Sequence, residues 1–125
     1  MSQPFDPDTV RLLAEAREIQ IETARDVAAP RHRTTIWIVV DEQGRPLIRS
    51  VDGSTARWFR EAVANPAVTL RVGKREIPAS AVLADDDERI EAASRGYRAK
   101  YPRSGSTASM LASDILSTTI ELVPR

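Results

Sequence analysis

The sequence contains no cysteine and a single histidine among its 125 residues, with two residues each of Trp, Tyr and Phe. The absence of cysteine excludes disulfide bonds, thiolate metal sites and cysteine nucleophiles. His32, the one histidine, lies between Arg31 and Arg33, and we interpret it as a solvated loop residue. With this single imidazole, neither a nucleophilic triad nor a histidine metal site can be assembled from the sequence.

Long hydrophobic runs are also missing. The longest covers residues 36–40, far short of the roughly 20 apolar residues that a membrane span needs. The first nine residues show no positive segment followed by an apolar stretch, so we expect no signal peptide. Lys and Arg number 18, as do Asp and Glu, so net charge is zero. A nucleic-acid or membrane-surface binder usually carries a basic excess, so we expect a cytoplasmic protein with neither partner.

No glycine-rich phosphate loop is present, because the five glycines are scattered along the chain. The acidic run at residues 85–88 lacks the glycine and spaced oxygen ligands of a calcium loop, and it suits the negative charge favoured at a helix start. We therefore predict no metal site and no catalytic side chain.

Periodic apolar residues predict the elements of the first half. Asp6 and Pro7 are typical of a helix start, and they open a helix over residues 7–16. Alternation predicts a strand over residues 18–25. The β-branched and apolar run at residues 34–41 predicts a strand buried on both faces, and residues 47–51 predict its hairpin partner.

The second half continues with a helix that is capped by Asp52, Ser54 or Thr55 and ended by Asn65 before Pro66. A second hairpin follows at residues 68–72 and 76–84, then a third helix, a helical turn near residues 109–114 and a last strand at 118–123. Hairpins give antiparallel pairing, and six strands can close most of a small barrel. We predict one α+β domain over residues 1–125, with an N-terminal helix in 1–17 and an antiparallel six-stranded barrel with flanking helices in 18–125.

Arginines near the central hairpin form a candidate anion site. Arg31 and Arg33 precede the apolar strand, Arg49 and Ser50 end its partner, and Arg57 opens the next helix beside Trp58. Arginines near helix amides can bind phosphate, but the same residues can equally be solvated charges. Trp37 and Phe59 are expected in the core. Trp58 is expected either at the core edge or against a planar ligand or partner subunit.

Five segments in this order form a recognisable set: residues 33–37 (RTTIW), 47–50 (LIRS), 56–59 (ARWF), 65–66 (NP) and 68–73 (VTLRVG). Together they resemble the split-barrel superfamily of flavin- and deazaflavin-dependent oxidoreductases, which includes the pyridoxamine-phosphate-oxidase-like proteins. Residues 96–101 (GYRAKY) and 119–124 (TIELVP) resemble an uncharacterised domain-of-unknown-function branch of it, family 2255.

The resemblance implies a six-stranded split barrel, a homodimer and a flavin mononucleotide (FMN) or deazaflavin cofactor in clefts between subunits. It implies cofactor contacts by Arg33, Thr34, Thr35, Arg49, Ser50, Arg57 and Trp58. Hydride chemistry then belongs to the cofactor, and no catalytic side chain is needed. The chain departs from the Ser-Lys-Gly-Gly run of many deazaflavin reductases, because Ser50 is followed by Val51, Asp52 and Gly53. Asp52 is expected to repel a phosphate.

Three functions fit these observations. The first is a small flavin- or deazaflavin-dependent oxidoreductase, and the second is a non-catalytic protein that binds a flavin or a tetrapyrrole. The third is a dimeric protein without a cofactor. Zero net charge disfavours a fourth, a nucleic-acid-binding barrel.

Overall fold

One antiparallel sheet and four α-helices make up the part of the chain that the computed structural model describes, residues 4–125. The helices are α1 (Pro7–Glu15), α2 (Arg57–Ala64), α3 (Asp87–Lys100) and α4 (Thr107–Met110). The strands are β1 (Ile19–Thr23), β2 (His32–Ile36), β3 (Val39–Val40), β4 (Pro46–Ile48), β5 (Ala67–Val72), β6 (Arg75–Leu83) and β7 (Ile120–Pro124). Two 3₁₀ turns, Gly53–Thr55 and Ser113–Thr118, complete the chain path.

The seven strands follow the order β2-β1-β5-β6-β7-β4-β3, and every pairing is antiparallel. The two ends of this order, β2 and β3, are separated in the chain by two residues only, Trp37 and Ile38. Three Cα–Cα steps span at most about 11 Å, so the two ends of the sheet must lie close together. The sheet is therefore curled into a half-barrel, and we call residues 37–38 the seam.

The expected six strands become seven because the strand predicted over residues 34–41 is divided at the seam. The expectation that it is buried on both faces holds for its second part only: Thr35 is exposed and Thr34 partly buried, whereas residues 36, 38, 39 and 41 are buried. The hairpin return is shorter than predicted, since β4 ends at Ile48.

The seam leaves a backbone carbonyl outside the sheet, and the end of α3 satisfies it. Lys100 Nζ donates to the Ile38 carbonyl at 2.7 Å and to the Leu13 carbonyl near the end of α1 at 3.2 Å. The single proton of the Tyr101 hydroxyl is donated to the Arg17 carbonyl at 2.6 Å, and the hydroxyl oxygen lies 3.2 Å from the Ile38 carbonyl oxygen. These bonds join α1, α3 and the seam, because a buried carbonyl without a donor destabilises the fold.

The helix ends test the predicted caps. The carboxylate of Asp6 accepts from the Thr9 amide at 2.9 Å, which confirms the cap of α1, and Asn65 ends α2 as predicted. None of the three caps proposed for α2 is used: residues 53–55 form a 3₁₀ turn, and the N-cap is Ala56, which offers no side-chain bond. The prediction failed because the extra turn moved the helix start past all three polar residues.

Two apolar clusters fill the interior. The larger one lies between the sheet, α1 and α2, and includes Ile21, Leu70 and Phe59. The smaller one lies under α3 and includes Val39, Tyr97 and Tyr101, with Trp37 packed against it. The seam thus lies where the two clusters meet.

Candidate functional site

A cleft of about 280 Å³ opens beside the seam, and we call it the tryptophan cleft. Trp37 comes from the seam, Trp58 from α2, and Thr34, Thr35 and Ile36 from β2. The other lining residues are Glu18, Arg49, Val51, Asp52, Ser106 and Met110. Its size lies near the lower end of the range of small-molecule sites, roughly 300–1,000 Å³. Four of the seven predicted cofactor residues, Thr34, Thr35, Arg49 and Trp58, therefore line one cleft.

Arg49 is the charged side chain buried most deeply in the cleft wall, with 1% of the residue exposed. Its guanidinium donates to the Thr119 hydroxyl at 2.8 Å and to the carbonyls of Met110 and Ile90 at 3.1 and 2.7 Å. It also lies over the Tyr97 ring, 5.7 Å from the centroid. Burial lowers the pKa of Arg49, but an arginine remains charged at neutral pH. No carboxylate among residues 4–125 forms an ion pair with it.

The two tryptophans give the cleft apolar walls. Trp58 is 7% exposed and packs edge-on to Phe59, with ring centroids 6.1 Å apart. It therefore lies at the edge of the core, one of the two positions expected for it, and it also lines the cleft. Trp37 is only partly buried and lies outside any strand, so its expected place within a buried core strand is wrong. One of its faces stacks on Tyr101, and the residue also lines the cleft.

Ser50 and Arg57 do not line the tryptophan cleft. Ser50 is fully buried: its amide donates to the Thr118 hydroxyl at 3.0 Å, and its hydroxyl donates to the Gly53 carbonyl at 2.7 Å. It holds the turn that precedes α2. Arg57 lines a different groove, together with Arg25, Arg60, Glu61 and Ala64. The side chains of consecutive helical residues diverge, so Trp58 and Arg57 reach different surfaces.

Arg33 also lies outside the tryptophan cleft, on the outer face of the sheet. It pairs with Glu22 at 3.6 Å, and the same carboxylate pairs with Arg31 at 3.4 Å and with Arg71. The hydrogen bond from Arg71 and the nearby positive charges lower the pKa of Glu22. Arg33 and Arg31 are thus engaged in an ion-pair cluster across β1, β2 and β5.

His32 is not the solvated loop residue that the sequence suggested. It lies in β2, and its Nδ1 is 3.0 Å from one carboxylate oxygen of Glu61 and 3.3 Å from the other. The Thr23 hydroxyl donates to the same carboxylate at 2.8 Å. Glu61 is 8% exposed. The flanking arginines misled the prediction because neighbouring residues of a strand point to opposite faces.

The sequence did not identify Glu18, Trp37, Met110 or Ser106 as cleft residues. Met110 and Ser106 come from the α4 region, about 60 positions from Arg49, and no local pattern signals that approach. Trp37 carried no signal either, because residues 34–41 read as one continuous strand.

Among the described residues, no group of three or more His, Asp and Glu side chains is placed to hold a metal ion. None of the helices in residues 4–125 combines the length and apolarity of a membrane span.

Solved structures with the same fold include protein Atu2129, of unknown function, from Agrobacterium tumefaciens str. C58, at a TM-score of 0.69 and 17% identity over 94% of this chain. This chain spans about half, 53%, of that protein. HutZ, a heme storage protein from Vibrio cholerae, has a TM-score of 0.65 and 16% sequence identity. The match covers 98% of this chain and 92% of HutZ. The F420-H2 dependent reductase FDR-A has a TM-score of 0.62 and 18% sequence identity. The match covers 86% of this chain and 93% of the reductase. A domain-swapped dimer gives 0.63 and 18% over 93% of each chain.

At these sequence identities the similarity establishes a shared fold, but not a shared ligand or activity. The search of curated proteins found no match. Residues 9–122 match the model of one bacterial family, in agreement with the resemblance seen in the sequence. The chain therefore belongs to the family described as "uncharacterized protein conserved in bacteria", DUF2255.

Proposed function

We propose that the tryptophan cleft binds a flavin or deazaflavin cofactor and that the protein is a small oxidoreductase acting on an organic substrate. The observation that carries this proposal is the buried, positively charged Arg49 in the cleft wall without a carboxylate partner among residues 4–125. A buried charge is costly unless it is paired, and neutral oxygens compensate it only in part.

Arg49 has bonding capacity for a ligand. A guanidinium carries five N–H groups, and three of them donate to Thr119, Met110 and Ile90. The phosphate of a cofactor would supply both the missing negative charge and acceptors for the other N–H groups. Thr34 and Thr35 also line the cleft, but their side chains leave opposite faces of β2, so only one of their hydroxyls faces a ligand there. The fit is opposed by Asp52, which adds a negative charge to the lining.

The apolar lining suits a planar ring. Trp37, Trp58, Ile36 and Met110 offer flat or flexible apolar surface, and ring stacking on indoles adds to the hydrophobic gain. When bound, a flavin or deazaflavin supplies hydride transfer. The chain's own residues would anchor the anion, orient the ring and exclude water. The likeness of fold to an F420-H2 dependent reductase supports this assignment.

A non-catalytic tetrapyrrole carrier is the second candidate, because HutZ shares the fold and the same apolar walls would cover a porphyrin. The cleft lining contains no histidine, and Met110 carries the one sulfur atom in it. A tetrapyrrole would therefore bind mainly through apolar contact.

The test is a titration with FMN, riboflavin and hemin, followed by flavin fluorescence and by absorbance. We expect FMN to bind at least tenfold more tightly than riboflavin, because one hydrogen bond to a charged group contributes roughly 1.5–3 kcal/mol. Arg49 joins three elements, so its truncation would confuse binding with folding. We use Asp52→Asn instead, which should strengthen FMN binding and leave riboflavin binding unchanged.

Asp114→Asn is the matched control, since Asp114 is exposed and does not line the cleft. If FMN and riboflavin bind with equal affinity to the wild type, and again to Asp52→Asn, the phosphate role of Arg49 is contradicted. Tight binding of hemin without binding of either flavin would favour the second candidate. Reduction of the bound flavin by NAD(P)H, with turnover of an acceptor, would establish the enzyme.

A further inference from the structure

A second groove, of about 310 Å³, lies between α2 and the loop that follows β1. We call it the arginine groove. Arg25 comes from the loop, and Arg57, Arg60, Glu61 and Ala64 come from α2. It shares no lining residue with the tryptophan cleft. It is therefore a separate site, and nothing in the function proposed above accounts for it.

The charges of the arginine groove do not balance. Its one carboxylate, that of Glu61, already accepts from Thr23 at 2.8 Å and lies 3.0 Å from His32 Nδ1. Glu61 forms no ion pair with an arginine in the described part of the chain. The groove thus presents three guanidinium groups against one carboxylate that is turned to other partners.

Few of the hydrogen-bonding groups of these three arginines are engaged in ion pairs within residues 4–125. Arg25 has one ion-pair partner, its neighbour Asp26, at 3.7 Å, and both side chains are exposed. Within residues 4–125, neither Arg57 nor Arg60 forms an ion pair. Positions three apart on a helix lie on the same face, so Arg57 and Arg60 are neighbours. Ala64, one turn further along α2, leaves the groove open.

We propose that the arginine groove binds a small phosphate-bearing anion, held by Arg57 and Arg60 of α2 and closed on the other side by Arg25. Arginine matches the geometry of phosphate, because its planar fork donates two parallel hydrogen bonds. A ligand with two phosphate groups satisfies more of the three arginines than one phosphate does, so we commit to a diphosphate-class ligand.

The experiment measures binding of pyrophosphate and of inorganic phosphate to the full chain by calorimetry and by amide chemical shifts. The wild type should bind pyrophosphate saturably and more tightly than phosphate, with shifts centred on residues 25, 57 and 60. Arg57→Ala/Arg60→Ala should weaken pyrophosphate binding at least tenfold, which corresponds to the loss of one charged hydrogen bond or more. Both side chains are exposed, so the variant should fold.

Arg98→Ala is the matched control, because Arg98 is an exposed helical arginine without an ion pair in the described residues. It should bind pyrophosphate as the wild type does. Asp52→Asn, which alters only the tryptophan cleft, should also leave this affinity unchanged, so the two sites fail or hold independently. Absence of saturable binding at millimolar pyrophosphate would overturn the proposal. Undiminished binding by the double variant, or equal weakening by Arg98→Ala, would overturn it as well.

Discussion

The indole of Trp37 stacks on the ring of Tyr101, with the centroids 4.0 Å apart and the planes at 8°. Trp37 lies at the seam and forms a wall of the tryptophan cleft, whereas Tyr101 ends α3. The helix end thus supports the cleft from behind. The polar groups around this contact differ sharply in how well their hydrogen-bonding capacity is satisfied.

Tyr97 and Tyr101 make a matched pair of tyrosines. The Tyr97 hydroxyl is buried without a hydrogen-bond partner among the described residues, whereas the Tyr101 hydroxyl donates to the Arg17 carbonyl at 2.6 Å. Tyr97→Phe should leave the free energy of unfolding unchanged or raise it by up to about 1 kcal/mol, and Tyr101→Phe should lower it by about 1–3 kcal/mol. Urea denaturation of the two variants checks this. If Tyr97→Phe lowers the free energy of unfolding as much as Tyr101→Phe does, the Tyr97 hydroxyl forms a hydrogen bond in solution.

Lys100 makes stability depend on pH. Burial lowers the pKa of its ammonium from 10.5 to about 8. Between these two values the unfolded chain binds more protons than the folded one, so raising the pH through this window stabilises the fold. The effect should be on the order of 2 kcal/mol once solvent screening is allowed for.

The measurement compares unfolding free energies of wild type and Lys100→Met at pH 7, 8.5 and 10, values chosen roughly to bracket the window. The difference between the two proteins cancels the titration of the tyrosines. The wild type should gain on the variant as pH rises. A constant difference would mean that Lys100 keeps its ordinary pKa.

Gly96 lets α3 approach β3 closely. A Cβ at this position would lie 2.9 Å from both Cβ and Cγ2 of Val39. Gly96→Ala should therefore destabilise the protein by about 1–2 kcal/mol, although alanine favours a helix. Thermal and urea denaturation measure the change.

Two further variants sharpen that test. Gly105→Ala meets no atom within 4 Å and should be neutral. Combining Gly96→Ala with Val39→Ala should cost less than the sum of the single changes, since the new methyl fills space that the valine leaves. If the changes in unfolding free energy of the two single variants add strictly in the double variant, the destabilisation by Gly96→Ala does not come from the α3–β3 contact.

We expect the protein to form a homodimer that covers the mouth of the tryptophan cleft. Val51 lines this cleft, is 49% exposed and offers apolar surface at its edge. An obligate interface would bury about 2,000 Å² or more in total. Sedimentation should show a dimer at micromolar concentration, weakened by Val51→Glu but not by Val27→Glu. Monomer alone in the wild type would contradict this.

The sequence predicted the helices and most strands because their apolar periods and the Asp6 cap are local signals. It could not predict the seam. Residues 34–41 read as a continuous β-branched run, and the break at Trp37 depends on the curling of the whole sheet. The same limit applies to the caps of α2, where a 3₁₀ turn intervened.

The site was predicted in part for a related reason. Thr34, Thr35, Arg49 and Trp58 follow from the resemblance and do line one cleft. The resemblance implied Arg57 and Ser50 as well, but helical rotation separates Arg57 from Trp58, and a turn buries Ser50. The sequence left Arg49 as either a phosphate-binding residue or a solvated charge, and neither alternative predicted that only 1% of the residue would be exposed. Its burial depends on acceptors that lie 41 to 70 positions away in the chain.

The seam couples the tryptophan cleft to the stability of the whole sheet. Trp37 belongs both to the cleft wall and to the two-residue link that holds the ends of the sheet together. Any molecule that binds the wall opposes the opening of that link, because ligand bound only to the closed state stabilises it by mass action. Occupancy of the cleft should therefore slow amide exchange in β2, β3 and their partner strands, far beyond the residues that touch the ligand.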